Sequence, residues 1–327
     1  MAEEERAVGE GEGLRGAWRE AEHLLPLDEV VRKEVWEGSI PIRVELARQD
    51  VSTFEAPMPF YVQAPRMGYF PLVLGQAKAY FQNYVPAVCC NDREMWLEHK
   101  GNALKWHLPT GVLFDLHAHG EDLPWHLTLH FSGVETKGLL PYEGDVSLRR
   151  HFRQTLKQAT SLRYGSCKRV NNLSVAQMEQ LWSSLQENKF ESFTSVNSEL
   201  LKLSTPGPSG LTEIKRLPLR IYLPHLPSPI QQPFTPFKDD GHLTTLHDVL
   251  LQILPGLFET TRLSFAKTQE EEGEDAGDDQ RPTVLVQGIS PPLQTPVLWL
   301  CQQLAGADTF LYICVIPKSK DQEVFAS

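Results

Sequence analysis

The stretch "SIPIRVEL" (residues 39–46) decides the fold of the first part of the chain, because its side chains alternate in character along its length. Side chains two residues apart lie on the same face of an extended strand. The apolar face is formed by Ile40, Ile42, Val44 and Leu46, and the polar face by Ser39, Arg43 and Glu45. The spacing predicts a half-buried strand that covers one side of a core.

The segments around this strand complete a small domain. The predicted strands are "PFYVQA" (59–64), "MWLEH" (95–99), a short stretch around "ALKW" (103–106) and "WHLTLHF" (125–131). The predicted helices are "LVLGQAKAYFQ" (72–82) and a short one through "TGVLFDL" (110–116) that begins at Pro109. This order of elements is typical of a ubiquitin-like β-grasp domain, in which a small sheet packs on a helix.

A similar order of elements recurs after residue 211. "LPLRIYL" (217–223) and "IQQPFTPF" (230–237) predict a hairpin, "TVLVQG" (283–288) and "FLYICVI" (310–316) predict strands, and "LTTLHDVLLQIL" (243–254) and "TPVLWLCQQL" (295–304) predict helices. We therefore predict a second β-grasp domain. The repeat lies in the order of elements and not in residue identity.

Between the two domains the pattern is helical. "LRRHFRQTLKQATSL" (148–162) places its apolar residues on one stripe, and Ser174 with Gln177 has the spacing of a capping box. A short N-terminal helix is predicted between Asp28, as its cap, and Gly38.

The predicted fold class is α+β, with two ubiquitin-like β-grasp domains flanking a helix-rich domain. The predicted boundaries are a disordered acidic extension (1–27), an N-terminal helix (28–38), the first ubiquitin-like domain (39–133), a linker (134–144), the helix-rich domain (145–203), a linker (204–210), the second ubiquitin-like domain (211–317, with an acidic insertion at 269–280) and a tail (318–327).

The net charge of −11 belongs to two segments. Residues 270–279 carry −7 and residues 1–27 carry −4, so the remainder is neutral and has no global field for nucleic acid. The first residues lack the apolar stretch of a signal peptide, and no segment has the length of a membrane span. We expect a soluble protein of the cytoplasm or nucleus.

The residues that could carry chemistry form no recognisable site. Five of the eleven histidines fall in residues 105–130, but His126 and His130 on one strand face lie roughly 13 Å apart, too far to chelate a metal easily. His117 and His119 follow a predicted helix end, where positive charge is favourable. Gly11, Gly13 and Gly16 match a dinucleotide-binding pattern with no strand before them. Neither a cofactor nor a metal is expected.

The five cysteines are odd in number and form no CxxC pair, so we expect reduced and mostly buried thiols. Cys89 or Cys90 with a histidine would still be a possible nucleophile pair, although no motif supports it.

Lys157 lies off the apolar stripe of its helix, where an exposed amine would be surrounded by arginines that disfavour its charge. The pattern alone does not single it out from the other lysines. The arginines concerned are Arg149, Arg150, Arg153 and Arg163.

Seven separated blocks together resemble the autophagy protein 5 family, from about residue 30 to 317. They are "VWEGSIPIRVEL", "APRMGYFPLV", "MWLEHKGNALKWHLPTGVLFDL", "LPWHLTLHF", "LPLRIYL", "DDGHLTTLHDVL" and "LQTPVLWLCQQLAGADTFLYICVIP". In that family, the ubiquitin-like autophagy modifier 12 is passed from E1-like and E2-like enzymes to one lysine within a helix of the form H/N-F-x-x-x-L/M-K-x-A. "HFRQTLKQA" (151–159) matches this form, so the resemblance places the covalent attachment site on Lys157.

The resemblance further implies a scaffold and not an enzyme. The conjugate, with the coiled-coil autophagy protein 16 bound in a groove, would act like an E3 in lipidation of a second ubiquitin-like modifier onto phosphatidylethanolamine. The expected location is the cytoplasm, with recruitment to the phagophore membrane. The N-terminal extension, the acidic insertion and the loop "HAHGED" (117–122) are not part of the family pattern.

Two alternatives remain from the sequence. The chain could be a ubiquitin-like adaptor that binds the coiled-coil partner without covalent conjugation, or a metal-dependent or Cys–His enzyme.

Overall fold

The structure is a computed structural model that describes residues 26–86, 93, 95–133, 138–202, 214–259 and 281–318. Its strands are β1 (Ser39–Leu46), β2 (Phe60–Pro65), β3 (Trp96–His99), β4 (Asn102–Ala103), β5 (Trp125–His130), β6 (Leu219–Tyr222), β7 (Thr283–Leu285) and β8 (Leu311–Ile316). Its helices are α1 (Glu29–Glu37), α2 (Phe70–Phe81), α3 (Thr110–His117), α4 (Asp145–Tyr164), α5 (Lys168–Asn171), α6 (Val175–Gln186), α7 (Phe190–Leu201), α8 (Leu246–Ile253) and α9 (Val297–Gln303). No described helix is long and apolar enough to cross a membrane.

The first domain is a five-stranded sheet in the order β2-β1-β5-β3-β4. Strand β1 pairs antiparallel with β2 and parallel with the central strand β5. The apolar face predicted for residues 39–46 is buried, and it shares a core with Phe70 and Phe81 of α2 and Leu113 of α3. The strand that opens this domain therefore has the register predicted from its alternation.

Two predicted strands differ in the structure. The stretch around "ALKW" forms only the two-residue β4, because Lys105–Leu108 turns into α3, with the N–H of Leu108 donating to the carbonyl of Lys105 at 3.0 Å. The second arm of the predicted hairpin at 230–237 makes only single bridges, Ile221 with Ile230 and Leu217 with Phe234. Prolines at 233 and 236 lack the N–H that a regular ladder requires.

The second domain has a three-stranded sheet in the order β6-β8-β7, and β8 is buried on both faces. Leu311, Ile313 and Val315 point into the core of the second domain. Tyr312 and Cys314, on the other face of β8, join the core of the first domain. The two β-grasp domains thus pack directly against each other through this strand.

The helical domain has its own core, which includes Leu148, Phe152 and Leu156 of α4 together with Trp182 of α6 and Trp36 of α1. The predicted helix starts are confirmed. Asp28 accepts from the backbone N–H groups of residues 30 and 31, and Ser174 and Gln177 form a reciprocal capping box. These caps fix where α1 and α6 begin.

A buried ion pair of the first β-grasp domain lies at its contact with the second. The Nη2 atom of Arg66 donates to both carboxylate oxygens of Asp115 on α3, at 2.6 Å each. Burial raises the pKa of Asp115, while Arg66 and the backbone N–H of Gly288, from the second domain, act to lower it. Gly288 has φ +81°, and a Cβ there would lie 2.7 Å from the Arg66 guanidinium. Only glycine fits this approach.

The acidic insertion (269–280), the linker (204–210), Cys89 and Cys90 lie outside the described residues. Pro26 and Leu27 are the only described part of the predicted N-terminal extension. The carbonyl of Pro26 accepts from Gln303 Nε2 at 2.9 Å, and the Gln303 Oε1 in turn accepts from the N–H of Asp28 at 2.9 Å.

Candidate functional site

Helix α4 carries the predicted attachment lysine and lies at the centre of the molecule. It follows Gly144 and ends at Gly165, whose φ of +73° is the left-handed conformation common at helix C-termini. Leu156 is buried in the helical-domain core, whereas Ala159 packs into the core that contains Tyr222 and Phe310 of the second β-grasp domain. The helix is therefore held by two cores on two of its faces.

Lys157 directly follows the buried Leu156 on α4. It is half-buried, which is less exposure than its position off the apolar stripe predicts. None of the described residues forms an ion pair or hydrogen bond with its side chain. No carboxylate of the described residues therefore holds the amine in a way that would oppose its use as a nucleophile.

Two of the four predicted arginine neighbours are engaged elsewhere. Arg149 forms an ion pair with Glu179 of α6. Arg163 is buried and donates to Gln302 of α9. These guanidinium groups hold α4 against the helical domain and against the second β-grasp domain. Arg150 and Arg153 remain on the exposed surface of α4.

The residue after Lys157 connects α4 to the second β-grasp domain. Gln158 Oε1 accepts from Arg220 Nη2 at 2.9 Å, and the Arg220 guanidinium lies 3.8 Å from the centroid of the Phe310 ring. Sequence reasoning did not identify Arg220. The signal that could have indicated it is its charge, because Arg220 is the only charged residue in the otherwise apolar stretch "LPLRIYL".

Two histidines meet near this connection. The rings of His107, which precedes α3, and His151, on α4, lie 5.2 Å apart. Burial is the main reason that the pKa of each is lowered to about 4, and Arg220 adds to the lowering in both cases. Both rings are therefore neutral near pH 7, at a junction of all three domains.

The other histidines of residues 105–130 do not converge. His130 is buried and stacks on Trp96 at 3.8 Å between centroids, while His126 on the same strand is exposed. His117 ends α3, but burial lowers its pKa, so the positive charge expected at that helix end is disfavoured. Within the described ranges, no three His, Cys, Asp or Glu side chains are grouped for a metal.

The described cysteines have the character of structural thiols. Cys301 and Cys314 are free and buried, and burial raises the pKa of Cys301 to about 12 and that of Cys314 well above its usual value. A thiol with so high a pKa is a poor nucleophile near neutral pH. Cys167 is free and half-buried.

A surface groove lies between α1 and α7. It has a volume of about 570 Å³ and includes Val30, which is 68% exposed. Lys33 of α1 and Glu191 of α7, which both line the groove, form an ion pair at 2.7 Å. The groove thus combines an exposed apolar side chain with a surface ion pair.

Comparisons with known proteins agree on one family. Family models described as the autophagy protein ATG5 UblA domain, alpha-helical bundle region and UblB domain match residues 35–131, 145–203 and 216–315. "Autophagy protein 5" of Arabidopsis thaliana is 30% identical and is matched over 88% of this chain and 97% of its own length. The protein of the same name from Drosophila melanogaster is 28% identical over 88% of this chain and 97% of its own length.

A solved structure shares the fold. The crystal structure of Kluyveromyces marxianus Atg5 aligns with a TM-score of 0.67 and 22% identity, and the alignment covers 88% of this chain and all of that one. The two ubiquitin-like domains flanking a helical region, predicted from the order of elements, are confirmed. The chain belongs to the autophagy protein 5 family.

Proposed function

We propose that this chain is an autophagy scaffold that becomes covalently joined, through Lys157, to the ubiquitin-like autophagy modifier 12. The observation that carries the proposal is the position of Lys157: it falls on the lysine of the matching "HFRQTLKQA" helix, with an amine that no described residue binds. Helix α4 presents this amine from a rigid support, since the helix packs into two cores.

The reaction requires only one nucleophilic amine from the chain itself. The deprotonated ε-amine of Lys157 attacks the thioester carbonyl that joins the modifier's C-terminus to the E2-like enzyme. The new C–N bond is the isopeptide, the C–S bond breaks, the thiolate leaves on the E2, and the amine loses a proton to solvent. The chain is therefore an acceptor and not an enzyme, and E3-like activity belongs to the conjugate.

The groove between α1 and α7 supports binding of the coiled-coil autophagy protein 16 as a helix. Its exposed Val30 would be covered by an apolar face of that helix. Joined to this partner, the conjugate would direct lipidation of a second ubiquitin-like modifier onto phosphatidylethanolamine. The expected place of action is the phagophore membrane, reached from the cytoplasm.

Reconstitution with the modifier and its E1-like and E2-like enzymes tests the attachment site. Lys157→Arg should abolish the adduct, because guanidinium stays protonated and is no nucleophile. Lys168→Arg is the matched control, since Lys168 is an exposed lysine of the same helical domain, and it should leave the yield unchanged. A full yield of conjugate in the Lys157→Arg protein would overturn the assignment.

The second candidate function is an adaptor of the same fold that binds the coiled-coil partner without conjugation. The formed groove supports this function by itself, because it does not involve Lys157. The intact mass of the protein from its native cells separates the two: an added modifier mass mapped to a branched peptide at Lys157 favours the scaffold, and the unmodified mass favours the adaptor.

A further inference from the structure

A small cavity lies where α1, the helical domain and the second β-grasp domain meet. Its walls come from α1, from α7 and from the residues that follow α9, among them Gly306 and Ala307. The cavity has a volume of about 20 Å³. A water-sized occupant needs at least about 10–15 Å³, so there is room for one small molecule or ion.

Three side chains that line this cavity have buried N–H groups without a hydrogen-bond partner among the described residues. These groups are the Nη1 of Arg32, the Nε1 of Trp36 and the Nδ2 of Asn197. Trp36 and Asn197 are only 3% and 2% exposed. A buried donor without an acceptor is unfavourable, most of all on a charged group.

Two amide oxygens that could serve these donors are already used by arginines. Asn197 Oδ1 accepts from Arg32 Nη2 at 2.9 Å. Gln302 Oε1, from α9, accepts from Arg163 of α4. Among the described residues that line the cavity, the buried side-chain atoms left without a partner are all donors. An occupant must therefore bring lone pairs.

The two arginines also bring positive charge to this place. Arg163 is 1% exposed, and its Nε and Nη1 have no partner among the described residues. Burial lowers the pKa of Arg32, the exposed Glu29 raises it, and the charge of Arg163 lowers it again, so the two guanidinium groups repel each other. Cys301 lies near Arg163, but burial raises the pKa of its thiol to about 12, so it provides no negative charge near pH 7.

We propose that this cavity binds a small monovalent anion, of about the size of chloride. The anion accepts from the N–H groups of Arg32, Trp36 and Asn197 and neutralises part of the buried positive charge. A water molecule satisfies the donors but leaves that charge unbalanced. Because its walls belong to three parts of the molecule, the anion stabilises their assembly. The inference does not depend on conjugation at Lys157.

Urea titration of the full chain in chloride–gluconate mixtures of constant ionic strength tests for the anion. Gluconate is too large for a cavity of this volume, so it keeps the screening constant without occupying the site. Each ten-fold rise in chloride above its dissociation constant should raise the ratio of folded to unfolded chain about ten-fold. Bromide should act like chloride.

Asn197→Asp builds a negative charge into the cavity. The carboxylate keeps the bond from Arg32 Nη2 and replaces the unpartnered Nδ2 with an acceptor. This variant should be more stable than the wild type in gluconate, and its stability should no longer depend on chloride. Asn172→Asp, at an exposed asparagine of the same domain, is the matched control and should keep the chloride dependence of the wild type.

Trp36→Phe removes one donor and keeps an aromatic ring against Phe193, whose centroid lies 4.6 Å from that of Trp36. It should weaken the apparent affinity for chloride at least about ten-fold, as expected for one hydrogen bond to a charged group. Trp182→Phe is the matched control. Trp182 is 1% exposed and its Nε1 also has no partner among the described residues, but it does not line the cavity.

Any of three results would overturn the proposal. Equal stability of the wild type in chloride and in gluconate would show that the cavity holds only water. A chloride dependence that survives in Asn197→Asp would place the ion elsewhere on the chain. Equal changes of chloride affinity in Trp36→Phe and Trp182→Phe would show that the indole N–H at the cavity does not contact the ion.

Discussion

Removing Asp115 should destabilise the whole molecule, because its carboxylate is the ion-pair partner of Arg66 at the contact between the two β-grasp domains. The side chains of Arg66 and Asp115 are only 12% and 4% exposed. In Asp115→Ala, the guanidinium would stay buried without a counter-charge, and its Nε already has no hydrogen-bond partner among the described residues.

The expected loss is about 3–5 kcal/mol of the free energy of unfolding, the usual cost of removing one member of a buried pair. Urea titration at pH 7 followed by tryptophan fluorescence measures it. Because native stabilities are typically about 5–15 kcal/mol, the loss should move the midpoint far enough to be unmistakable. The double substitution Arg66→Met and Asp115→Leu should recover most of the loss, since it leaves no charge buried.

The matched control is the ion pair of Lys33 and Glu191. Its N–O distance of 2.7 Å is nearly the same, but its side chains are 46% and 74% exposed. Glu191→Ala should not change the midpoint measurably. If Asp115→Ala costs less than about 1 kcal/mol, or no more than Glu191→Ala, then burial does not determine the cost of this contact and the reasoning is refuted.

Two further predictions concern the domain junction and the groove. In the folded state the pKa values of His107 and His151 are about 4, below the ordinary value of 6.5. Between these pH values the unfolded chain therefore binds more protons than the folded chain. The free energy of unfolding should fall as the pH drops from about 6.5 to about 4. Urea titrations across this range should show the fall, with a shallower slope in His107→Tyr, whereas equal slopes would contradict the burial of His107. In the groove, Val30→Glu should weaken binding of the coiled-coil protein 16 at least about ten-fold by calorimetry, because a charge would replace the valine that the bound partner helix covers. Val175→Glu, at a valine 87% exposed on α6, is the control, and equal weakening by both would argue against the groove.

Local patterns predicted most of the fold. The alternation in residues 39–46 and the caps at Asp28 and Ser174 are properties of neighbouring residues, and the structure confirms them. The strand predicted at 230–237 is wrong because Pro233 and Pro236 lack the backbone N–H that a regular ladder requires. A Pro-containing arm can make single bridges but not a ladder.

Contacts between domains were not predictable in the same way. Arg66, Asp115 and Gly288 are far apart in sequence, and no local pattern relates them. The same is true of Arg220 and Gln158 beside Lys157. In the sequence His107 belongs to a run of histidines, but its neighbour in the structure is His151, 44 residues later in the motif of the attachment helix.

The double burial of β8 has a consequence for how the chain can be divided. The sequence suggests three modules, yet Tyr312 and Cys314, close to the C-terminal end of the described residues, complete the core of the module that begins the chain. A fragment that ends after the first or the helical domain would expose the apolar surface that this strand covers. The natural unit for expression, for engineering and for inheritance of this architecture is therefore the entire three-domain body.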